Sequence, residues 1–398
     1  MNEQVNSKAS TEEVNPFYDK SLQTRHIKAT IFKTITLLSL LFSLSFLIFF
    51  LSDIIIKGSP AFQQTYIHVD VTYNEKTVKS TRKAVSKEYR RLVSRSWLRT
   101  IPQQVRDNPS LMNNKIKLWI LADDQVDQYL KGHHHNLKPK YIQSVDNLVK
   151  NNATKLSFNI IFFTRGDSKI PEYAGIKSAV IGSILTLIVT MVVAFPIAVM
   201  TAIYLEEFAA DNLWTQFIEI NINNLAAIPS ILFGLLGLAV FINLFGLPRS
   251  SPLVGGLTLA MMTLPIIIIS SRAALRSVPD NIRQAGYGLG LTKIQVVKDH
   301  VFPLAFPGVM TGSIIGLAQA MGETAPLIII GMIAFIPDSP NSIMQAATVM
   351  PAQIFTWAGM PERAYVEKTA AGIMVLLTIL ISLNAMAIYL RKKFAVKW

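Results

Sequence analysis

Glu323 is the one charge in an apolar run that extends from residue 304 to 337. In a membrane-spanning segment such a group marks, by default, a transport pathway or a partner contact. Three arrangements make it tolerable: pairing with a cation, protonation through burial, or a place beside water. A free carboxylate repels anions, so Glu323 is not read as an anion ligand; a structural acid at a helix bend is the plainer alternative. Gln319, four residues earlier, shares its helical face and can hydrogen-bond the carboxyl group. Asn221, Asn223, Asn224 and Ser230 lie around Pro229, where they could donate hydrogen bonds to an anion or simply cap a helix. His133, His134 and His135 are consecutive and do not converge on one ion from a regular helix or strand. With no cysteine in the chain to complete a ligand set, they are read as an exposed loop.

Helices must hold these residues. Apolar runs at 34–52, 178–205, 225–248, 251–271, 304–337 and 369–390 each reach or approach the roughly 20 residues that cross a ~30 Å hydrocarbon core. The expectation is an all-α polytopic membrane protein of about six transmembrane helices. The first run is too long for a signal-peptide core and continues into Asp53 and Lys57 rather than a small-residue cleavage site, so it is read as an uncleaved anchor. Pro326 predicts a bend or break close to Glu323. Gly308, Gly312 and Gly316 recur every four residues, a small-residue face that meets either a partner or another helix of this chain.

The net charge of +13 is concentrated in one block: residues 57–177 hold 21 Lys and Arg against 10 Asp and Glu, and the rest is nearly balanced. It therefore does not imply nucleic acid. Short basic flanks set orientation in a membrane. Lys20, Arg25, Lys28 and Lys33 precede the first run, Arg272, Arg276, Arg283, Lys293 and Lys298 precede the fifth, and Arg391, Lys392, Lys393 and Lys397 follow the last. With six spans these share one side, which predicts a cytoplasmic 276–303 loop and two cytoplasmic termini. Loop 206–219 dissents, carrying Glu206, Glu207, Asp211 and Glu219 and no Lys or Arg. Block 57–175 then lies outside, as a small α+β domain inserted after the first helix (1–56) and before the remaining core (176–398). TYIHVDVTYN alternates like a strand, SKEYRRLVSRSWLRTI has helical spacing, KIKLWILADDQVDQYL reads as strand then helix, and TKLSFNIIFFT as a strand. Its positive balance suits anionic headgroups, an anionic solute or an acidic partner, or serves solubility alone.

Between the fourth and fifth runs lies RSVPDNIRQAGYGLGLTKIQVVKDHVFPLAFPGVMTG. Residues 281–287 and 292–300 read as two short helices, with Gly288 and Gly290 at the bend and Thr292 as an N-cap. The segment resembles the coupling motif of binding-protein-dependent ABC importer permeases: Glu-Ala-Ala, three residues, Gly, nine residues, Ile, one residue, Leu-Pro. Gln284, Ala285, Gly286, Gly290, His300, Phe302 and Pro303 stand at the matching positions. Gln, Gly, His and Phe replace Glu, the second Ala, Ile and Leu. YLEEFAADNLWTQFIEININNLAAIPSILFGLLGL, GETAPLIIIG and MPAQIFTWA further resemble the permease pair of phosphate importers, in the manner of PstA members rather than PstC members.

The resemblance covers about residues 176–395 and implies the type I importer permease fold, in a bacterial inner membrane. It implies a non-catalytic subunit without cofactors, whose 276–303 loop docks on a separate PstB-like ATPase dimer that binds ATP and Mg. A homologous PstC-like permease and a periplasmic PstS-like phosphate-binding protein would complete the machine. The absence of any Gly-Lys dipeptide, and so of a phosphate-binding P-loop, agrees with ATP being handled elsewhere. In the family a basic residue usually stands where Gln319 does, so any counter-charge for Glu323 must come from a partner or from a loop end such as Arg249 or Arg272. The alternatives are a permease for another oxyanion (sulfate, molybdate, phosphonate), an ion-gradient-driven carrier with Glu323 as proton site, or a receptor formed by 57–175 with the spans as anchor.

Overall fold

The computed structural model describes residues 20–394 and divides after Asp53 into two units. Most of helix α1 (Lys20–Gly58) makes up the first. Its middle is apolar on every side and exposed throughout, the pattern of a helix whose solvent is lipid.

In the second unit, strands β1 (Gln63–Thr72), β2 (Lys115–Leu121) and β3 (Thr154–Phe158) form an antiparallel sheet in the order β2-β1-β3. Alternation in β1 decides its faces: Ile67, Val69 and Val71 are buried, while His68, Asp70 and Thr72 are partly exposed on the other side. Around the sheet lie α2 (Glu75–Lys79), α3 (Arg95–Arg99), α4 (Ile101–Asp107), α5 (Asp124–Leu130) and α6 (Pro139–Lys150). They close the core with Val78, Leu98, Ile101, Val126, Val145 and Leu148. Two expectations are corrected here. SKEYRRLVSRSWLRTI is not one helix, because Val93 is drawn into a bridge with Ala122, α3 covers only Arg95–Arg99, and α4 starts anew at Ile101. The strand expected across TKLSFNIIFFT stops at Phe158. There Asn159 Oδ1 accepts from the Phe162 amide at 3.0 Å and opens a short helix, α7 (Ile160–Thr164).

The remaining helices are α8 (Lys177–Ile203), α9 (Leu213–Ala226), α10 (Ser230–Gly237), α11 (Pro252–Arg276), α12 (Asp280–Gly288), α13 (Lys293–Val296), α14 (Phe302–Gly322), α15 (Ala325–Ile329), α16 (Met350–Ala358) and α17 (Ala364–Phe394). Helix α11 packs between α8 and α14. Glycine allows the closeness: a methyl carbon on Gly312 would fall 1.8 Å from Ser270 Oγ, and one on Gly308 2.6 Å from the Ala274 methyl. The four-residue glycine face is thus spent on α11 of this chain.

Among the described residues five helices are long and apolar enough to cross a membrane, or six if α9 and α10 count as one bent span. That pair bends by 102°, and the helix within the run at 225–248 begins after Pro229, the helix entry that was one of the two readings offered there. Pro229 is the cause, since it lacks an N–H and disfavours helical backbone at Ile228. The run 304–337 is also divided. α14 ends at Gly322, and after α15 the chain turns through Gly331, whose φ is +97°.

Buried charge fastens the sheet region to α17. Glu367 accepts from Gln128 Nε2 at 2.6 Å and Lys131 Nζ at 3.2 Å, with His133 Nδ1 at 2.7 Å. Lys131 also reaches Asp127 at 2.6 Å. His133 is therefore a half-buried partner of this network rather than a free loop residue. Nearby, Trp357 Nε1 donates to Asp167 at 2.9 Å, and the Tyr365 hydroxyl donates to the Ser168 carbonyl at 2.6 Å. Burial pushes the Glu172 carboxyl up to about 7. At Asp123, the N-cap of α5, burial and then the charge of Asp124 raise it to about 8.

Candidate functional site

The 276–303 loop folds as the sequence suggests, and packing shows why. Thr292 and Gln295 form a reciprocal cap, Gln295 Oε1 accepting from the Thr292 amide at 2.9 Å and Thr292 Oγ1 from the Gln295 amide at 3.4 Å. Gly290 makes the turn with φ +79°, a conformation costly for any residue with a Cβ. Gly288 stays within α12 with open space around it. Gly286 is buried, and a methyl there would lie 2.8 Å from Val296, so glycine at this position lets α12 and α13 touch.

The start expected for the fifth span, at residue 304, is corrected. α13 runs through a wide π-type turn (Val297–Val301) into α14, giving a helical stretch Lys293–Gly322 of 30 residues, about 45 Å long. Pro303 sits at the second position of α14 after Val301, directly past the π turn, where the missing N–H costs little. Phe302 stacks edge-on against Phe306 at 5.7 Å. Gln284, Ala285 and His300 are exposed, with Gln284 Nε2 bonded to Asp280 at 2.9 Å. Two large apolar residues the motif does not contain stand out beside them: Leu289 is 80% and Ile294 67% exposed.

An ionic latch behind this loop was not foreseen. At the π turn that ends α8 (Tyr204–Phe208), Glu206 and Glu207 face the basic end of α11 and α12. Arg272 reaches Glu206 at 3.3 Å and Glu219 of α9 at 2.5 Å, and Arg276 reaches Glu206 at 2.7 Å. Arg283 Nη2 binds Glu207 at 2.6 Å, with side chains 16% and 5% exposed. Its other N–H groups donate to the carbonyls of Val278 at 2.8 Å and Leu275 at 3.1 Å, in and just beyond the last turn of α11. The bond to Glu207 holds the Arg283 guanidinium above its ordinary value. The dissenting acids of 206–219 are thus the counter-charges of the basic loop. The signal was present in the sequence as two flanking segments of opposite sign.

The candidate path residues are less closely gathered. Glu323 follows the last turn of α14, half-buried, with an extended backbone (ψ 127°). It lies at the end of a full-length helix rather than in its middle. Its side chain, like those of Gln319, Asn224 and Ser230, makes no hydrogen bond or ion pair among the described residues. Gln319 and Asn224 are exposed, and Ser230 opens α10. α10 does pack on α15, Gly234 lying so close to Pro326 that a methyl would fall 2.7 Å from its Cα. Arg272 cannot serve Glu323: the Gly312–Ser270 and Gly308–Ala274 contacts place it beside the middle of α14, about 20 Å away along the helix. Arg249 is exposed and unpaired with Glu323.

The second unit carries helices long and apolar enough to cross a membrane, with an exposed helix–turn–helix between α11 and α14. Residues 173–396 match the model of the family described as binding-protein-dependent transport system inner membrane component, and the chain belongs to that family. Residues 19–88 and 77–140 match a domain of unknown function, DUF3333. The probable ABC transporter permease protein YqgI of Bacillus subtilis is 28% identical over 60% of this chain and 85% of its own. The phosphate transport system permease protein PstA of Mycobacterium leprae is 30% identical, over 54% of this chain and 69% of that protein. PstC of Pasteurella multocida is 28% identical over 58% and 80%. The chain is therefore a non-catalytic, multi-pass permease subunit of a bacterial ABC importer, without a cofactor of its own, that works with a separate ATPase and a binding protein.

Proposed function

We propose that this chain is the PstA-type permease of an ATP-driven phosphate importer. The observation that carries the reading is its 30% identity, over 215 residues, to a phosphate permease. The GETAPLIIIG and MPAQIFTWA segments favour PstA over PstC. In this reading the 276–303 loop and both termini are cytoplasmic and the sheet region is periplasmic. A PstB-like ATPase dimer seats on Tyr287, Leu289 and Ile294. Its stroke passes along the unbroken α13–α14 helix, and through Arg283 and Glu207 into α8. The conduit forms with a PstC-like partner, with Glu323 and Ser230 beside it, and a PstS-like protein delivers the anion.

The test is reconstitution of the full chain with these three partners in vesicles. Phosphate-stimulated ATP hydrolysis with phosphate uptake is expected. Stimulation by sulfate or a phosphonate instead assigns another oxyanion, and uptake by this chain alone under a pH gradient makes it a carrier.

A further inference from the structure

The core-facing side of β3 outruns its own core. Thr65 and Ile67 of β1, opposite Leu156 and Thr154, are buried, yet Leu156 is 50% and Phe158 60% exposed. The exposed surface continues onto α7, where Ile160 is 62% and Phe163 40% exposed. Phe163 stacks on Phe158 at 5.7 Å and 6°, and on Phe62 at 5.8 Å and 10°, so the rings form one ordered patch. A contiguous apolar surface held in register calls for an apolar partner.

Its position says which. Phe62 closes the apolar helical stretch that begins at Leu22. α7 is bonded directly to the first turn of the α8 span, through Ile176 N to Phe162 O at 2.8 Å and Lys177 N to Arg165 O at 3.0 Å. The patch therefore stands beside the ends of two apolar helices, where chains that cross a membrane leave it. Exposed Lys155 and Arg165 flank the patch in the chain, within a block that carries 21 Lys and Arg against 10 Asp and Glu. Apolar rings flanked by basic side chains suit the acyl–headgroup boundary of an anionic leaflet.

We propose that Leu156, Phe158, Ile160 and Phe163 seat the sheet region in the outer headgroup layer of the bilayer. The inference rests on the membrane reading of the spans and not on phosphate as substrate. The seat makes the inserted region a fixed rim of the membrane rather than a freely mobile appendage.

The chain has no cysteine, so single Phe158→Cys, Ile160→Cys and Phe163→Cys variants can each carry one spin label. The full-length protein is reconstituted in phosphatidylethanolamine–phosphatidylglycerol vesicles, with Ser110→Cys, exposed and on a different part of the sheet region, as reference. Collision with oxygen and with a water-soluble nickel chelate is then measured at each site. Labels at 158, 160 and 163 are expected to show an oxygen-to-nickel ratio several-fold above Ser110→Cys. A ratio equal to the reference places the patch in water, and low collision with both reagents shows that protein covers it. Either result overturns the proposal. Phosphate selectivity is untouched by all of these outcomes, so failure here and failure of the functional reading are separable.

Discussion

Arg283 of α12 grips Glu207 at the end of α8 with two guanidinium nitrogens, at 2.6 and 3.3 Å, while donating to two carbonyls at the end of α11. Three helices therefore meet at one side chain directly behind the exposed loop. Removing one partner of such a buried pair leaves an uncompensated charge and costs about 3 kcal/mol. Glu207→Arg and Arg283→Glu are each expected to lower thermal stability and to uncouple ATP hydrolysis from uptake in the assembled transporter, and the double swap to restore coupling in part. Arg276→Ala breaks a pair whose arginine is 61% exposed, and its effect should stay under about 1 kcal/mol. Melting curves and uptake-to-hydrolysis ratios for the four variants decide the point.

Close packing makes a second forecast. Gly312→Ala drives a methyl into Ser270 Oγ and must part α11 from α14, at a cost of about 1–3 kcal/mol. Combining it with Ser270→Ala removes the clashing oxygen but leaves the β-carbon 2.3 Å away, so little of the loss should return; Ser270→Gly, which removes both atoms, should recover more. Gly288→Ala meets open space at a helix end and should be neutral or slightly stabilising. Thermal midpoints in detergent are sufficient to rank them.

Glu172 gives the protein a pH dependence. Its carboxyl is raised from 4.5 to about 7, so the folded chain keeps a proton that the unfolded chain releases. Its contribution is fully present below about pH 4.5, is lost as pH rises to about 7, and stays lost above. The folded state thus carries a penalty of about 3 kcal/mol at pH 8. Glu172→Gln should raise the melting temperature at pH 8, leave it near wild type at pH 4.5, and flatten the slope between. Asp123, raised from 3.8 to about 8, would still supply part of that slope. An unchanged pH profile in Glu172→Gln would remove the argument.

Glu323 has no bonded partner among the described residues, so neutralising it should leave assembly and stability intact. Under the importer reading Glu323→Gln lowers uptake at equal expression. Wild-type uptake by a well-assembled Glu323→Gln complex would reduce the residue to a helix-end acid.

The sequence alone determined whatever depends on local pattern. Apolar length marked the membrane runs, period-two alternation marked β1, and Gly290 with the Thr292 cap marked the coupling turn, because each is governed by neighbours a few residues away. Opposite charges in 206–219 and 272–283 were legible too, but as two separate oddities. Only the tertiary structure decided that they are one latch, since folding must bring α8 and α12 side by side before Glu207 can meet Arg283. It alone decided that Gly308, Gly312 and Gly316 serve α11 of this chain, whereas the break beside Glu323 was already legible in Pro326. Long-range contacts carry no periodicity of their own. They follow from which surfaces fit, and a chain read one residue at a time does not state them.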